Sequence, residues 1–142
     1  MRHAISVVVV LALAACSSLR PLPIKAGETC FGCRQVIVEP KLAAEIIDAN
    51  GHAYKFRTVE CLAKYLVDHP DDDLVGIWVT DYNTGRFVAA GNATYVRGVI
   101  DESRMERNYF AFRSATDAAK FAQDRTSTAV DWAAVMRRAS GD

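Results

Sequence analysis

The hydrophobic pattern opens with an unbroken apolar run from Val7 to Ala15, behind a charged start at Arg2. Nine residues cannot cross a bilayer, which needs roughly 20. The length and the small-residue ending fit a secretory signal peptide over residues 1–15. Residues 16–29 carry Pro21, Pro23 and Gly27 without any apolar period, so a tether is expected there. From Cys30 the pattern becomes that of a folded domain, expected over 30–138.

Within that domain, Arg34–Val38 reads as a short strand. Segment 42–58 reads as a hairpin turned at Asn50-Gly51, a pair that tolerates positive φ. Thr58 is placed to cap a helix whose Val59, Leu62, Tyr65 and Leu66 share one face. The acidic run Asp71-Asp72-Asp73 reads as a solvated turn. Leu74–Thr80 reads as a buried strand, and Asn83-Thr84-Gly85 turns it into a return over 86–90. A further strand is expected at 94–100, and Asp101 to Asn108 as a polar loop. Tyr109–Arg113 is a strand with Phe110 and Phe112 on one face. Ser114 and Asp117 cap a helix to about Gln123. Thr128 and Asp131 repeat that signature for a last helix over 128–138, with Trp132, Val135 and Met136 inward and Arg137-Arg138 suiting its C-terminal dipole.

The chain echoes itself. Residues 54–66, YKFRTVECLAKYL, align with 110–122, FAFRSATDAAKFA, at an offset of 56. Each copy runs strand, polar cap, amphipathic helix. The expected fold is therefore α+β: two related β-β-α units, about 30–70 and 74–124, sharing a mixed or antiparallel sheet with helices packed on it.

Composition narrows the function classes. The 142 residues balance 17 Lys+Arg against 17 Asp+Glu, for a formal net charge of +0. A nucleic-acid binder working through a broad basic face would show a basic excess, so none is expected. There is no G-x-S-x-G, H-E-x-x-H or Gly-rich phosphate loop, and no carboxylate pair is placed for acid–base work. No enzymatic activity is expected. The 51% apolar fraction falls to about 47% once residues 1–15 are set aside, which is ordinary for a globular domain.

The chemistry lies in sulfur. Leu13-Ala14-Ala15-Cys16 resembles the bacterial lipobox, in which the cysteine is acylated and becomes the mature N-terminus. By resemblance to Gram-negative lipoproteins, Ser17 after it does not signal inner-membrane retention, so the outer membrane is expected. Three thiols remain. Cys30 and Cys33 form a C-x-x-C, a spacing that serves metal sites, redox sites and structural disulfides alike. Cys61 sits in the first turn of a helix, where amide N–H groups favour thiolate. Met105 is a thioether among charged residues, whereas Met136 reads as core packing. His52 and His69 are possible nitrogen ligands. Thiolates with a thioether suit Cu(I), which accepts two or three soft ligands. Zinc prefers four Cys/His ligands and would need His52 or His69. A structural disulfide in a lipid-anchored binding module is the remaining alternative.

With these residues in hand the pattern resembles the NosL family, the accessory lipoproteins of nitrous-oxide reductase. The similarity runs from Cys30 to about Val135. It includes the C-x-x-C, Ala43-Ala44-Glu45-Ile46, Phe56 leading to Cys61-Leu62 and Tyr65-Leu66, and Trp78-Val79-Thr80-Asp81-Tyr82 with Thr84-Gly85. It continues through Tyr95-Val96, Met105 and Ala111-Phe112. Two positions depart from the family pattern. Gln35 stands where a methionine is usual, and Met105 has Arg104 and Glu106 in place of Pro and Gly. The resemblance implies a periplasm-facing, lipid-anchored Cu(I) metallochaperone supplying nitrous-oxide reductase or another envelope copper protein. The metal ligands it implies are drawn from Cys30, Cys33, Cys61 and Met105, with Cys16 lipidated.

Overall fold

The first hairpin is organised by one carboxylate. Asp48 Oδ1 accepts from the amides of Asn50 and His52, each at 2.9 Å, and Gly51 takes φ +84°. This four-residue connection joins β1 (Ala44–Asp48) to β2 (Ala53–Phe56). Thr58 then caps α1 (Val59–Asp68), its Oγ1 accepting from the Cys61 amide at 3.3 Å. Strands β3 (Leu74–Thr80) and β4 (Phe87–Ala89) follow. Next come β5 (Thr94–Asp101), β6 (Glu106–Phe112), α2 (Ala115–Gln123), β7 (Ala129–Val130) and α3 (Trp132–Ser140). The protein is described here by a computed structural model over residues 20–141. The signal peptide and Cys16 lie outside the described residues. Among those residues no helix is long and apolar enough to cross a membrane.

The architecture is α+β with antiparallel sheets. The strands divide between two ladders, ordered β2-β1-β3-β4 and β6-β5-β7. They meet at one parallel bridge between Asp81 and Ala111, where the Tyr82 amide donates to the Ala111 carbonyl at 2.8 Å. The shared sheet expected from the repeat is thus two sheets. Asp81 directly follows β3, and its carboxylate is taken by the amides of Arg113 and Thr84.

Two apolar clusters fill the fold, and the larger one also takes Tyr95, Tyr109 and Ala111 from the second sheet. Ile46, Phe56, Leu62 and Val79 pack under α1, with Val135, Trp132 and Met136 closing the cluster from α3. Phe110, Phe112, Val96 and Ala118 pack under α2, with Phe121 and Tyr82 against them. The start of α1 is also stitched to the second unit. Asn108 Oδ1 accepts from the Glu60 amide at 3.1 Å, satisfying an N-terminal donor of the helix, and Arg97 Nε meets Glu60 Oε1 at 3.0 Å.

Four expectations need correction. Arg34–Val38 is no strand; only Val36 pairs, through a single bridge to Thr29. The region expected to be tether is docked from Leu22. The Leu22 amide donates to the buried Glu45 Oε1 at 2.7 Å, and Lys55 Nζ reaches the Pro23 carbonyl and Glu28. The polar loop 101–108 is shorter than expected because β6 begins at Glu106, leaving a turn at 102–105. The last helix starts at Trp132, not 128. Asp131 is its cap, accepting from the Ala134 amide at 2.8 Å, while residues 129–130 add a strand beside β5.

The repeat extends further than the sequence echo. The short hairpin that carries Thr29 and Val36 matches the β3–β4 pairing of Thr80 with Phe87, at an offset of 51. A one-turn 3-10 helix then precedes each hairpin–helix unit, at Pro40–Leu42 and Ala90–Asn92. The β5–β6 hairpin is the longer of the two, and Met105 sits in its turn at φ +52°.

Candidate metal centre

The C-x-x-C forms a tight turn at the head of the first unit. The Cys30 amide donates to the Gln35 carbonyl at 2.8 Å and the Phe31 amide to the Lys55 carbonyl at 2.7 Å. The turn closes when Arg34, at φ +63°, donates its amide to the Cys30 carbonyl at 3.1 Å. Phe31 anchors it by packing on Tyr54, Phe56 and Tyr65. These bonds hold Cys30 and Cys33 over the first turn of α1, where Thr58 sets Cys61.

The three sulfurs converge. Sγ of Cys30, Cys33 and Cys61 all lie within 4.8 Å of one another, and all three cysteines are free. Their access is graded: Cys30 is buried, Cys61 partly buried and Cys33 exposed. A cavity of about 470 Å³ opens over Cys33 and Cys61, with Arg57, Glu106, Asn108 and His69 also in its lining. An ion could be taken at Cys33 and passed inward by exchanging one sulfur for another.

Charge in this cluster centres on Cys30. The Cys61 side chain, hydrogen-bonded to it, holds the Cys30 thiol well below an ordinary thiol, against the cost of burial. The Cys33 amide, donating to Cys30 Sγ at 3.5 Å, acts in the same sense, as does the Arg57 amide. Cys61 moves the opposite way: its bond to Cys30 and then its burial push it up. The Cys61 amide is spent on the Thr58 hydroxyl, while the amides of Cys33 and Arg57 are directed at Cys30.

Two further charged side chains border the thiols. Arg57 Nη1 donates to Glu106 Oε2 at 3.2 Å, and Nη2 donates to Glu106 Oε1. Sequence reading did not single out either residue as functional. The only signal was position: Arg57 directly precedes the cap of the Cys61 helix, and Glu106 follows Met105.

The other candidates are placed elsewhere. Met105 is 70% exposed in the β5–β6 turn and does not line the cavity, although its neighbour Glu106 does. His52 pairs with Asp48, Nδ1 to Oδ2 at 3.1 Å, in the first hairpin turn. His69 lies at the cavity edge, stacked on Tyr65 at 4.1 Å, with Nδ1 2.9 Å from the Tyr65 carbonyl oxygen. Among the described residues neither histidine joins the thiols.

Fold and site together define a small α+β domain with a three-sulfur pocket suited to a soft metal ion. A family model described as NosL matches residues 21–139, and the chain belongs to the NosL family. The fold is similar to the crystal structure of the copper chaperone NosL from Shewanella denitrificans. That match has TM-score 0.65 and 17% identity, covering 80% of this chain and 92% of that one. Among curated proteins nothing matches.

Proposed function

We propose that this protein is a Cu(I) metallochaperone of the cell envelope, anchored through an acylated Cys16 and facing the periplasm from the outer membrane. The observation that carries the reading is the convergence of Cys30, Cys33 and Cys61 within 4.8 Å. Thiolates are the ligands Cu(I) prefers, and two or three suffice for it. Family membership and the fold shared with a copper chaperone support the same cargo. Cys30 is the resident thiolate, Cys61 gives up its proton on binding, and exposed Cys33 is where copper enters and leaves. Met105, on a turn beside the cavity, is the candidate thioether for the exchange. The recipient is nitrous-oxide reductase or another envelope copper enzyme.

A segment docked from Leu22 leaves five residues between Cys16 and the domain. The test of cargo is a competition of the reduced full chain against a coloured Cu(I) chelator. One equivalent should be withheld by the wild type and none by a Cys30→Ser, Cys33→Ser, Cys61→Ser variant. Equal competition by the two proteins would refute the reading. Transfer from the loaded chain to apo nitrous-oxide reductase tests the recipient.

A further inference from the structure

Copper held by two or three thiolates carries net negative charge, and an anion inside a protein needs a compensating partner. Arg57 is placed to be that partner. It leaves the end of β2 one residue before the Thr58 cap and lines the thiol cavity. Both Nη atoms are taken by Glu106, but Nε is buried and has no acceptor among the described residues. An N–H in that state is costly unless something fills it. The guanidinium lines the same cavity as Cys33 and Cys61, and after Glu106 the Cys33 side chain and the Cys61 charge favour its charged form. The other cavity cation, Lys64, is exposed and paired with Asp68 at 3.1 Å.

The second unit shows that this placement is not forced by the repeat. Arg113 occupies the equivalent position and sends Nη2 to the Phe87 carbonyl at 2.6 Å. Val36 is the equivalent of Phe87, and Arg57 makes no bond to it. The first-unit arginine makes no such carbonyl bond and pairs instead with a carboxylate from the other unit.

We propose that Arg57 is a positioning residue for the copper site. Its charge offsets the copper–thiolate anion, its Nε–H donates to a thiolate sulfur in the loaded protein, and Glu106 holds the guanidinium neutralised while the pocket is empty. This rests on the copper reading above. Binding Cu(I) then shifts the guanidinium's partnership from Glu106 toward sulfur, and releasing it restores the ion pair. Glu106 thereby favours release, while Arg57 favours retention.

The test uses the reduced full chain, chelator competition for affinity, and the near-ultraviolet Cu(I)–thiolate absorption as a signature of the sulfur environment. Arg57→Gln should weaken Cu(I) binding by roughly ten- to hundredfold at unchanged stoichiometry, as removal of an outer-sphere partner does. It should also shift the absorption band. Arg57→Lys should recover part of the affinity, because it restores the charge without the Nε donor. Glu106→Gln should bind more tightly than wild type, since it frees the guanidinium for sulfur, and unchanged affinity in that variant would overturn the proposal. If Arg57→Gln does not fold, Glu106→Gln still decides. A simple strap between the units predicts weaker binding from that variant, and such a loss would overturn the proposal. So would wild-type affinity in Arg57→Gln. Failure of the wild type to bind better than the triple cysteine variant would instead remove the copper reading itself.

Discussion

The two head-turns of this protein are one structure used twice. In the first unit, Cys30-Phe31-Gly32-Cys33-Arg34-Gln35 turns at the thiols; in the second, Asp81-Tyr82-Asn83-Thr84-Gly85-Arg86 turns at the sheet junction. The Asp81 amide donates to the Arg86 carbonyl at 2.8 Å and the Gly85 amide to the Asp81 carbonyl at 2.8 Å, as Cys30 and Arg34 do in their turn. Tyr82 packs on Phe110, Phe112 and Phe121, as Phe31 packs on its own aromatics. Even the cap is repeated: Ser114 Oγ accepts from the Asp117 amide at 3.2 Å, where Thr58 accepts from Cys61.

What differs is the anion. Asp81 Oδ1 accepts from the Arg113 amide at 3.0 Å, and Oδ2 from the Thr84 amide at 3.2 Å and hydroxyl at 2.5 Å. The carboxylate fills its own turn and needs nothing else. In the first unit Cys30, Cys33 and Cys61 replace Asp81, Thr84 and Asp117. A thiolate receives the same amide donors but retains soft lone pairs, and two neighbouring thiols face it. The scaffold makes a place for an anion; the residue there decides whether it is a structural plug or a sulfur cluster able to hold a metal.

The largest expected effect comes from exchanging the two sets. Cys30→Asp, Cys33→Thr, Cys61→Asp should reduce the bound Cu(I) from one equivalent to none while the chain still folds, since the second unit shows that the turn accepts this trio. Chelator competition and circular dichroism measure the two outcomes. Retained copper binding in that variant would mean the ion sits elsewhere.

A smaller effect is expected at the plug. Asp81→Asn should cost about 1.5–3 kcal/mol in denaturant unfolding, the range for hydrogen bonds to a buried charge. Burial raises the Asp81 carboxyl, but the Thr84 hydroxyl, the amides of Arg113 and Thr84 and the charge of Arg113 outweigh it and leave it lowered. Because the folded form holds the charged state more strongly, the stabilisation is present above the ordinary carboxylate range. It is lost as pH falls through the lowered folded value. The difference between Asp81→Asn and wild type should therefore be full at neutral pH and shrink in strong acid. A difference independent of pH would contradict the plug.

The smallest effect concerns the residue that closes each turn. Arg34 at φ +63° does without glycine what Gly85 does at φ +72°. Arg34→Gly should stabilise the empty protein by up to about 1 kcal/mol, and Gly85→Ala should destabilise by about 1 kcal/mol or more. Thermal melts of the two variants check the opposite signs.

Much of this was legible in the sequence because the signals were local. Capped amphipathic helices α1 and α2, the Asn50-Gly51 turn and the offset-56 echo follow from side-chain chemistry within a few residues. The deeper half of the repeat was not legible. Thr29-Cys30-Phe31 and Thr80-Asp81-Tyr82 share only a threonine and an aromatic, because the turn is built by backbone bonds that almost any residue can make. Val36 and Val38 have strand-forming side chains, yet the ladder beside them is missing, and only Ile37 is buried. The three thiols were identified by type, but which one carries the charge depends on where amides converge. The Arg57–Glu106 pair joins residues 49 positions apart, which no local pattern reveals.

Copper-edge X-ray absorption of the full chain loaded with one equivalent of Cu(I) under anaerobic conditions tests the central claim most directly. A monovalent edge with sulfur alone in the first shell, lost in the Cys30→Asp, Cys33→Thr, Cys61→Asp variant, is the predicted result. A first shell of nitrogen or oxygen, or a sulfur shell that survives in that variant, would contradict it.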